Sequence, residues 1–153
     1  MQSSTREFEP TPEHLERLQA LFQRSSMSKT FGMTMHFDEQ GRAVFEWPYD
    51  ARFDHFLDDT HGCVLGALVD NAGWFAAASV YPGWVVTAEF NVRLLEAVQR
   101  QDLRAVGSVV RRGRRLAVAD VRVERADGCL IATGGGTFAT TGKSHPPSDA
   151  SGP

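Results

Sequence analysis

The pattern of apolar and polar positions predicts an amphipathic helix near the start of the chain. Apolar residues recur at helical spacing over residues 15–22, directly after Thr11 and Pro12. A threonine followed by a proline is typical of an N-cap and the first helical position. We therefore expect a helix that begins near Pro12, ends at about Ser25 and packs with its apolar face against the outside of the main fold.

Two short alternating segments come next. Apolar residues alternate with small or polar ones over residues 31–37 and again over residues 42–47, with a polar, glycine-containing turn between them. This pattern predicts a β-hairpin that ends at Pro48. Residues 51–60 are polar and irregular, and we expect a loop there.

The segment over residues 62–80 has a different composition, because alanine, leucine and valine occupy nearly every helical face. A helix that is apolar all round is a buried helix. The segment therefore predicts a central helix that ends at Tyr81-Pro82-Gly83, where proline and glycine prevent its continuation.

The remainder of the chain has strand composition. Four long segments have this composition, over residues 84–96, 102–111, 115–125 and 129–140. Tight-turn signals separate them, and no helix fits in any of the connections. We therefore expect the four strands to be antiparallel neighbours in a meander.

A long antiparallel sheet can bury one apolar helix if the sheet curls around the helix. Six strands and one wrapped helix describe the hotdog architecture, an α+β fold. We divide the chain into a helical N-terminal extension over residues 1–29, a hotdog domain over 30–141 and a tail over 142–153. The tail is small, polar and proline-containing, with nothing to bury, so we expect it to be mobile.

Composition and charge exclude several function classes. The chain has 153 residues, which suits one domain, and its net charge of −3 argues against a nucleic-acid or anionic-membrane partner. No apolar run approaches the roughly 18 residues of a membrane span, and the N-terminus lacks the order of a secretion signal. Cys63 and Cys129 form no zinc or disulfide-framework spacing, so we expect a reducing cytoplasm and no metal.

The entrance and the interior of the central helix carry the first candidates for chemistry. A threonine-histidine-glycine sequence that ends at Gly62 exposes backbone N–H groups, which favour a carbonyl oxygen that acquires negative charge. Asp70 is a carboxylate within an apolar helix, and such groups commonly serve chemistry. An aspartate that faces solvent or pairs with an arginine is the alternative.

The spacing of these two residues bears on the assembly. Gly62 and Asp70 are eight residues apart, which is roughly 12 Å along a helix. One substrate carbonyl cannot lie within hydrogen-bond distance of both residues of a single helix. Two antiparallel helices related by a twofold axis would bring Gly62 of one subunit near Asp70 of the other. If both residues are catalytic, the site is shared across a dimer.

The residues at this entrance resemble a known family. His61-Gly62-Cys63, with Asp70 nine positions after the histidine, resembles the HGG…D signature of hotdog thioesterases of the phenylacetate-degradation type. The segments over residues 84–96 and 111–121 are also similar to strands of that family, and the resemblance covers about residues 30 to 140.

The resemblance implies hydrolysis of an acyl-CoA thioester by homodimers that often pair into tetramers. It implies that Asp70 activates water or attacks the thioester itself, and that the Gly62 amide polarises the carbonyl. No cofactor is expected, because coenzyme A is part of the substrate. The acyl group stays open, although Trp74, Phe75 and Phe90 suggest an apolar, aromatic pocket or, equally, core packing.

Several positions depart from the family pattern. His55 stands six positions before His61, where asparagine or glutamine is common; it can donate the same hydrogen bond, relay a proton, or be a loop histidine in solvent. His61 can cap the helix or transfer protons. Cys63 replaces the second glycine. Trp74 occupies a position where some relatives carry a hydroxyl and is expected to line the pocket, while Asn71 is a candidate polar neighbour of the acid.

A basic turn supplies candidates for contacts with coenzyme A. Its residues are Arg111, Arg112, Gly113, Arg114 and Arg115. Guanidinium groups suit phosphates, although arginines are also common at solvated hairpin tips. Alternation along the strands means that not all four arginines can engage one ligand. Asn91 and Arg93 are further candidates for the pantetheine or nucleotide portion.

Three other functions compete with a thioesterase. Hotdog-fold hydratases and dehydratases typically carry a histidine followed, around fourteen residues later, by an acid. Here Asp70 follows His55 by fifteen residues, and the proline-glycine of that pattern is absent. A cysteine hydrolase would use Cys63 near the helix N-terminus, with His55 or His61 as base. A non-catalytic acyl-CoA binding module would use the same pocket without turnover.

Overall fold

The computed structural model describes residues 8–147 of the chain. Three helices are present: α1 (Pro12–Gln23), α2 (Ser26–Phe31) and α3 (Gly62–Ser79). The six strands are β1 (Thr34–Phe37), β2 (Ala43–Trp47), β3 (Val85–Leu94), β4 (Leu103–Arg112), β5 (Leu116–Arg125) and β6 (Leu130–Thr140). A single 3-10 turn, Ala51–Phe53, opens the predicted loop.

The strands form one antiparallel sheet in the order β1-β2-β4-β5-β6-β3. Helix α3 packs against five of them, β2 to β6, which confirms the predicted hotdog fold. Most of α3 is buried, because almost all of its faces meet the sheet or α1.

The prediction of a four-strand meander is wrong at its first connection. Strands β4, β5 and β6 are consecutive neighbours, but β3 pairs with β6 and β4 pairs with β2. Residues 95–102 carry the chain across the entrance of α3, where Val98 is buried and its carbonyl accepts the Thr60 N–H at 2.7 Å. This anchored connection is long enough to pass from one edge of the sheet to its middle, so β3 remains an edge strand.

Glycines allow α3 to lie unusually close to the sheet. A Cβ atom at Gly107 of β4 would lie 2.2 Å from the Ala72 carbonyl oxygen of α3. On the helix side, a Cβ at Gly73 would lie 2.8 Å from the Phe138 ring of β6. Any larger residue at Gly107 would meet backbone rather than a flexible side chain, so the helix-to-sheet distance depends on it.

The N-terminal segment forms two helices where one was expected. Helix α1 ends at Gln23. The Ser25 hydroxyl then caps α2 by accepting the Ser28 N–H at 3.1 Å. The predicted strand from residue 31 therefore begins only at Thr34. Phe22 of α1 is buried with its ring 4.8 Å from that of Phe45, so α1 belongs to the core and covers the open side of α3.

The prediction that nothing from Gly142 onward is buried is also wrong, at His145. His145 is 4% exposed and lies against α1, because the segment folds back along the start of β3. Residues 148–153, the rest of the predicted mobile tail, lie outside the described residues, as do residues 1–7. None of the helices within residues 8–147 has the length and hydrophobicity needed to cross a bilayer.

Candidate active site

Asp70 faces a cavity of about 380 Å³ on the α1 side of helix α3. It is half-buried, and it is the one ionisable side chain among the described residues that line the cavity. Its Oδ1 accepts a hydrogen bond from Thr87 Oγ1 at 2.9 Å. The remaining lining is mostly apolar and aromatic: Leu21, Phe22, Ser25, Met27, Asn71, Trp74, Phe75, Trp84 and Pro146.

Trp74 and Asn71 have different relations to this acid. Trp74 Nε1 donates to the Val85 carbonyl at 3.0 Å, and its ring lies 4.9 Å from that of Trp84. The indole is therefore held as part of the cavity wall, as expected. Asn71 Nδ2 donates to the Ala67 carbonyl at 2.8 Å, so its amide N–H is engaged by its own helix.

The entrance of α3 is a capped helix N-terminus at which one backbone N–H, that of Gly62, has no hydrogen-bond partner within residues 8–147. His61 is the N-cap, and its Nδ1 accepts the Cys63 N–H at 3.0 Å. Its carbonyl accepts the Val64 N–H at 3.0 Å. The Gly62 N–H has no hydrogen-bond partner within residues 8–147 and is available to a ligand. His61 thus has the capping role, one of the two alternatives considered for it.

Gly62 opens onto a different recess from the one that Asp70 lines. This second recess measures about 360 Å³ and includes His55, Asp59 and Leu94 in its lining. A Cβ at Gly62 would lie 2.9 Å from Leu94 Cδ1, so a side chain there would press on β3. Within one chain the structure does not bring Gly62 and Asp70 into a single cavity.

His55 lies in the same recess as Gly62. Its Nδ1 accepts the Leu57 N–H at 3.1 Å, while its Nε2 lies 3.8 Å from an Asp59 carboxylate oxygen. The ring is half-buried and its centroid is 6.3 Å from that of His61. The position fits a group that contacts a ligand at the helix entrance.

The basic turn contains one arginine that is already engaged. Arg112 donates to the Phe8 carbonyl at 2.6 Å, and its guanidinium lies 5.4 Å from the centroid of the Tyr81 ring. Tyr81 in turn donates its hydroxyl to the Gly113 carbonyl at 2.7 Å, and burial raises the pKa of Tyr81. This network braces the turn, so Arg112 and Gly113 are structural in a single chain.

The other predicted contact residues are exposed. Arg111, Arg114 and Arg115 surround a shallow groove on the sheet surface. Asn91 and Arg93 lie on edge strand β3, outside the lining of both recesses. Cys63 is exposed at the first turn of α3.

Sequence reasoning did not find Thr87, Trp84 or the parts of the cavity wall that α1, α2 and Pro146 supply. Thr87 carried a weak signal, as a hydroxyl in the first half of the strand that follows the helix after a short turn. No signal placed Pro146 in the same cavity as Asp70, because the two residues are 76 positions apart in the sequence.

Comparisons with known proteins bear on the family of the chain. The family model of the thioesterase superfamily matches residues 58–132. A protein of Saccharolobus solfataricus that carries the name "Putative esterase SSO2140" is 32% identical over 101 residues, which are 65% of this chain and 72% of that protein.

Solved structures are similar over most of the chain. One is a thioesterase superfamily protein determined by the Northeast Structural Genomics Consortium, with 32% identity and a TM-score of 0.76 over 83% of this chain and 98% of that one. The E. coli PaaI protein from the phenylacetic acid degradation operon has a TM-score of 0.77 at 20% identity, covering 86% of this chain and 98% of its own. The latter likeness supports the fold alone.

Proposed function

Because the chain belongs to the thioesterase superfamily and has its hotdog fold, we propose that it is a cytoplasmic acyl-CoA thioesterase. It hydrolyses a thioester to a free acid and coenzyme A. Asp70 is the general base or nucleophile, and the Gly62 N–H of a second subunit stabilises the oxyanion. The site is complete only in a homodimer, which is free to pair further into a tetramer.

The observation that carries this proposal is the environment of Asp70. A carboxylate in a cavity with apolar and aromatic walls lowers the stability of the fold, and such groups are often found where a protein uses them for chemistry. Thr87 satisfies only one of its oxygens, and no partner of Oδ2 is present within residues 8–147. A free carboxylate oxygen that faces an apolar cavity suits a group that activates water beside an acyl chain.

The dimer is supported by the edge strand β3. Its apolar side chains Val86, Phe90 and Leu94 are 43%, 43% and 55% exposed, and long apolar edges tend to pair with another strand. In an antiparallel pair of β3 strands related by a twofold axis, the two ends of the strand lie opposite each other. Gly62 lies against Leu94 at one end, and Asp70 is bonded to Thr87 near the other. The pairing therefore brings Gly62 towards the partner's Asp70.

The proposed reaction needs only these groups and water. Asp70 takes a proton from water as the water oxygen bonds to the thioester carbon, and the carbonyl electrons move onto its oxygen. The Gly62 N–H of the partner subunit donates to that oxyanion, aided by the positive end of α3. The carbonyl then re-forms, the carbon–sulfur bond breaks, and the leaving thiolate takes the proton from Asp70, which restores the carboxylate. Direct attack by Asp70, through an anhydride that water then hydrolyses, uses the same geometry.

The exposed arginines of the basic turn are proposed contacts for the phosphates of coenzyme A. Four residues lie side by side across neighbouring strands of the sheet, in the order Arg112 (β4), Ala117 (β5), Phe138 (β6) and Thr87 (β3). The turn therefore lies at the same end of the sheet as the hydroxyl that holds Asp70. Arg111, Arg114 and Arg115 are free to bind an anion there, and bidentate guanidinium contacts suit phosphate.

A non-catalytic binding module and a hydratase are the alternatives. The decisive experiment supplies the wild-type protein with a panel of acyl-CoAs and measures released thiol, with an enoyl-CoA included to detect addition of water. Thiol release supports the thioesterase. Binding without release would leave only the module, and hydration of the enoyl-CoA would replace the proposal with the hydratase.

A further inference from the structure

Part of the wall of the cavity beside Asp70 is formed by two segments that lie outside the sheet and its central helix. We call residues 12–31, which form α1 and α2, the arm, and residues 142–147 the strap. The arm contributes Leu21, Phe22, Ser25 and Met27 to the cavity lining. The strap contributes Pro146. Without these two segments the cavity would be an open surface on α3.

The arm and the strap are tied to each other by one side chain. Arg17 of α1 donates through Nη2 to the carbonyl of His145 at 2.9 Å and to that of Pro146 at 3.0 Å. These are charge-assisted bonds to two consecutive carbonyls, so they hold the strap backbone at a defined position. Arg17 therefore determines where Pro146 lies in the cavity wall, although its own side chain is not part of the lining.

The strap is also anchored to the cavity through tryptophan. The backbone N–H of Trp84 donates to the Lys143 carbonyl at 2.7 Å. The His145 ring packs 5.9 Å from the Trp84 ring, and the Trp84 ring packs 4.9 Å from that of Trp74. A displacement of the strap would therefore be transmitted to both indoles that line the cavity.

His145 fits this arrangement only as a neutral side chain. Both of its ring nitrogens are buried without a hydrogen-bond partner within residues 8–147. Burial, together with the charges of the neighbouring His14 and Arg17, lowers the pKa of His145 from 6.5 to about 4. The uncharged ring packs beside the Arg17 guanidinium without repelling it.

The size and lining of the cavity indicate the kind of group that it holds. A volume of about 380 Å³ is near the lower end of the range of small-molecule pockets. Its walls offer aromatic rings, aliphatic side chains and a thioether, with polar groups near Asp70. A cavity of this size and lining suits a compact apolar group, and a longer chain that extends along α3 would meet the side chains of the arm and the strap.

We propose that the arm and the strap set the length of the acyl group that this protein accepts, and that Arg17 is the positioning residue that holds this wall in place. The inference rests on the proposed function in taking the cavity as the acyl site. It names the substrate class as acyl-CoAs with compact apolar acyl groups.

The first test measures the cavity itself and needs no turnover. Primary alcohols from butanol to decanol are titrated into the wild-type protein, and the fluorescence of the cavity tryptophans is followed. Alcohols avoid the repulsion that a carboxylate would meet at Asp70. We expect affinity to rise with chain length and then fall beyond a cutoff. Arg17→Gln, which releases the strap, and Met27→Ala, which deepens the wall, should both move the cutoff to longer alcohols.

Arg24→Gln is the matched control. Arg24 is an exposed arginine at the end of α1, and its side chain makes no hydrogen bond or ion pair within residues 8–147. Its substitution should leave the cutoff unchanged. An identical cutoff in the wild type, Arg17→Gln and Met27→Ala would overturn the inference. Failure of every alcohol to bind the wild type would overturn it as well.

The second test uses turnover of acyl-CoAs from butanoyl to dodecanoyl. Arg17→Gln should raise the ratio of kcat/KM for decanoyl-CoA to that for butanoyl-CoA by about tenfold. A merely structural role for Arg17 would lower turnover of all chain lengths equally and would contradict the inference. If the wild type hydrolyses no acyl-CoA, the proposed function fails, whereas the alcohol cutoff still decides whether the arm and strap form the wall.

Discussion

Thr87 Oγ1 donates a hydrogen bond to Asp70 Oδ1 at 2.9 Å, joining the central helix to the edge strand β3. The contact orients the carboxylate and leaves its second oxygen facing the cavity. It also couples the candidate base to the strand through which we expect two subunits to pair. A disturbance of either element should therefore affect the chemistry.

Replacement of Asp70 is the most direct test of its role. Asp70→Asn keeps the size and can still accept from Thr87, but it cannot take a proton or attack a thioester. We expect kcat to fall on the order of 10²-fold or more, with fold and ligand affinity retained. Thiol release and acyl-CoA binding, measured on the same preparation, separate the two effects. Unchanged turnover would remove Asp70 from the mechanism.

Thr87 should act by positioning Asp70. Thr87→Val preserves the shape of the side chain and removes the donor, and we expect kcat to fall by about tenfold, since a hydrogen bond to a charged group contributes about 1.5–3 kcal/mol. Thr137→Val is the control, because Thr137 makes a comparable bond to Glu89 Oε1 at 3.0 Å. That substitution should leave kcat unchanged. Equal losses in both variants would indicate a general effect on the sheet.

The shared site predicts complementation between inactive variants. Asp70→Asn and Gly62→Val should each be inactive as homodimers, the second because a side chain at residue 62 presses on Leu94 and blocks the amide. An equal mixture after subunit exchange should recover about a quarter of wild-type activity, since half of the dimers are mixed and each holds one intact site. Absence of recovery after confirmed exchange would contradict a site between subunits.

The edge strand predicts the effect of a charge at the dimer interface. Phe90→Glu places a carboxylate at the centre of β3, and we expect the dimer to dissociate and activity to be lost together. Val110→Glu is the control, because Val110 is an exposed apolar residue on β4, away from this edge. Sedimentation velocity measures the assembly. A dimer that survives Phe90→Glu would rule out pairing through β3.

Stability should depend on pH through His145. Its pKa is about 4 in the folded protein and 6.5 when the residue is solvated, so the unfolded chain binds a proton more readily. Stability is therefore fully present above pH 6.5 and is lost progressively as the pH falls towards 4. His145→Leu should flatten this part of the curve of Tm against pH, whereas replacement of the exposed His36 by leucine should not.

Much of the architecture could be predicted because it depends on local pattern. The bounds of α3 and of the four long strands agree with the predicted segments to within two residues. Alternation, turn residues and an all-apolar helix are properties of neighbouring positions, and they leave few alternatives. Helix α2 was missed because it has only six residues and its start depends on the Ser25 cap, whose acceptor role shows only in the structure.

The candidate residues Asp70, Gly62 and His55 were also accessible from the sequence, because an acid in an apolar helix and a glycine at its entrance are unusual in themselves. Asp70 lines one recess and Gly62 lines the other, because the two residues are eight positions apart on one helix. The roles of the basic residues were less accessible, since only the structure distinguishes Arg112, which braces the turn, from the three exposed arginines.

The sequence alone thus determined the elements, the fold class and the residues with unusual chemistry. The tertiary structure decided the position of β3 at the edge of the sheet, the bond from Thr87 to Asp70 and the contribution of α1, α2 and Pro146 to the cavity wall. The physical reason is that these features are contacts between segments distant along the chain. Such contacts are chosen by the packing of the whole domain, and no local pattern of residues specifies them.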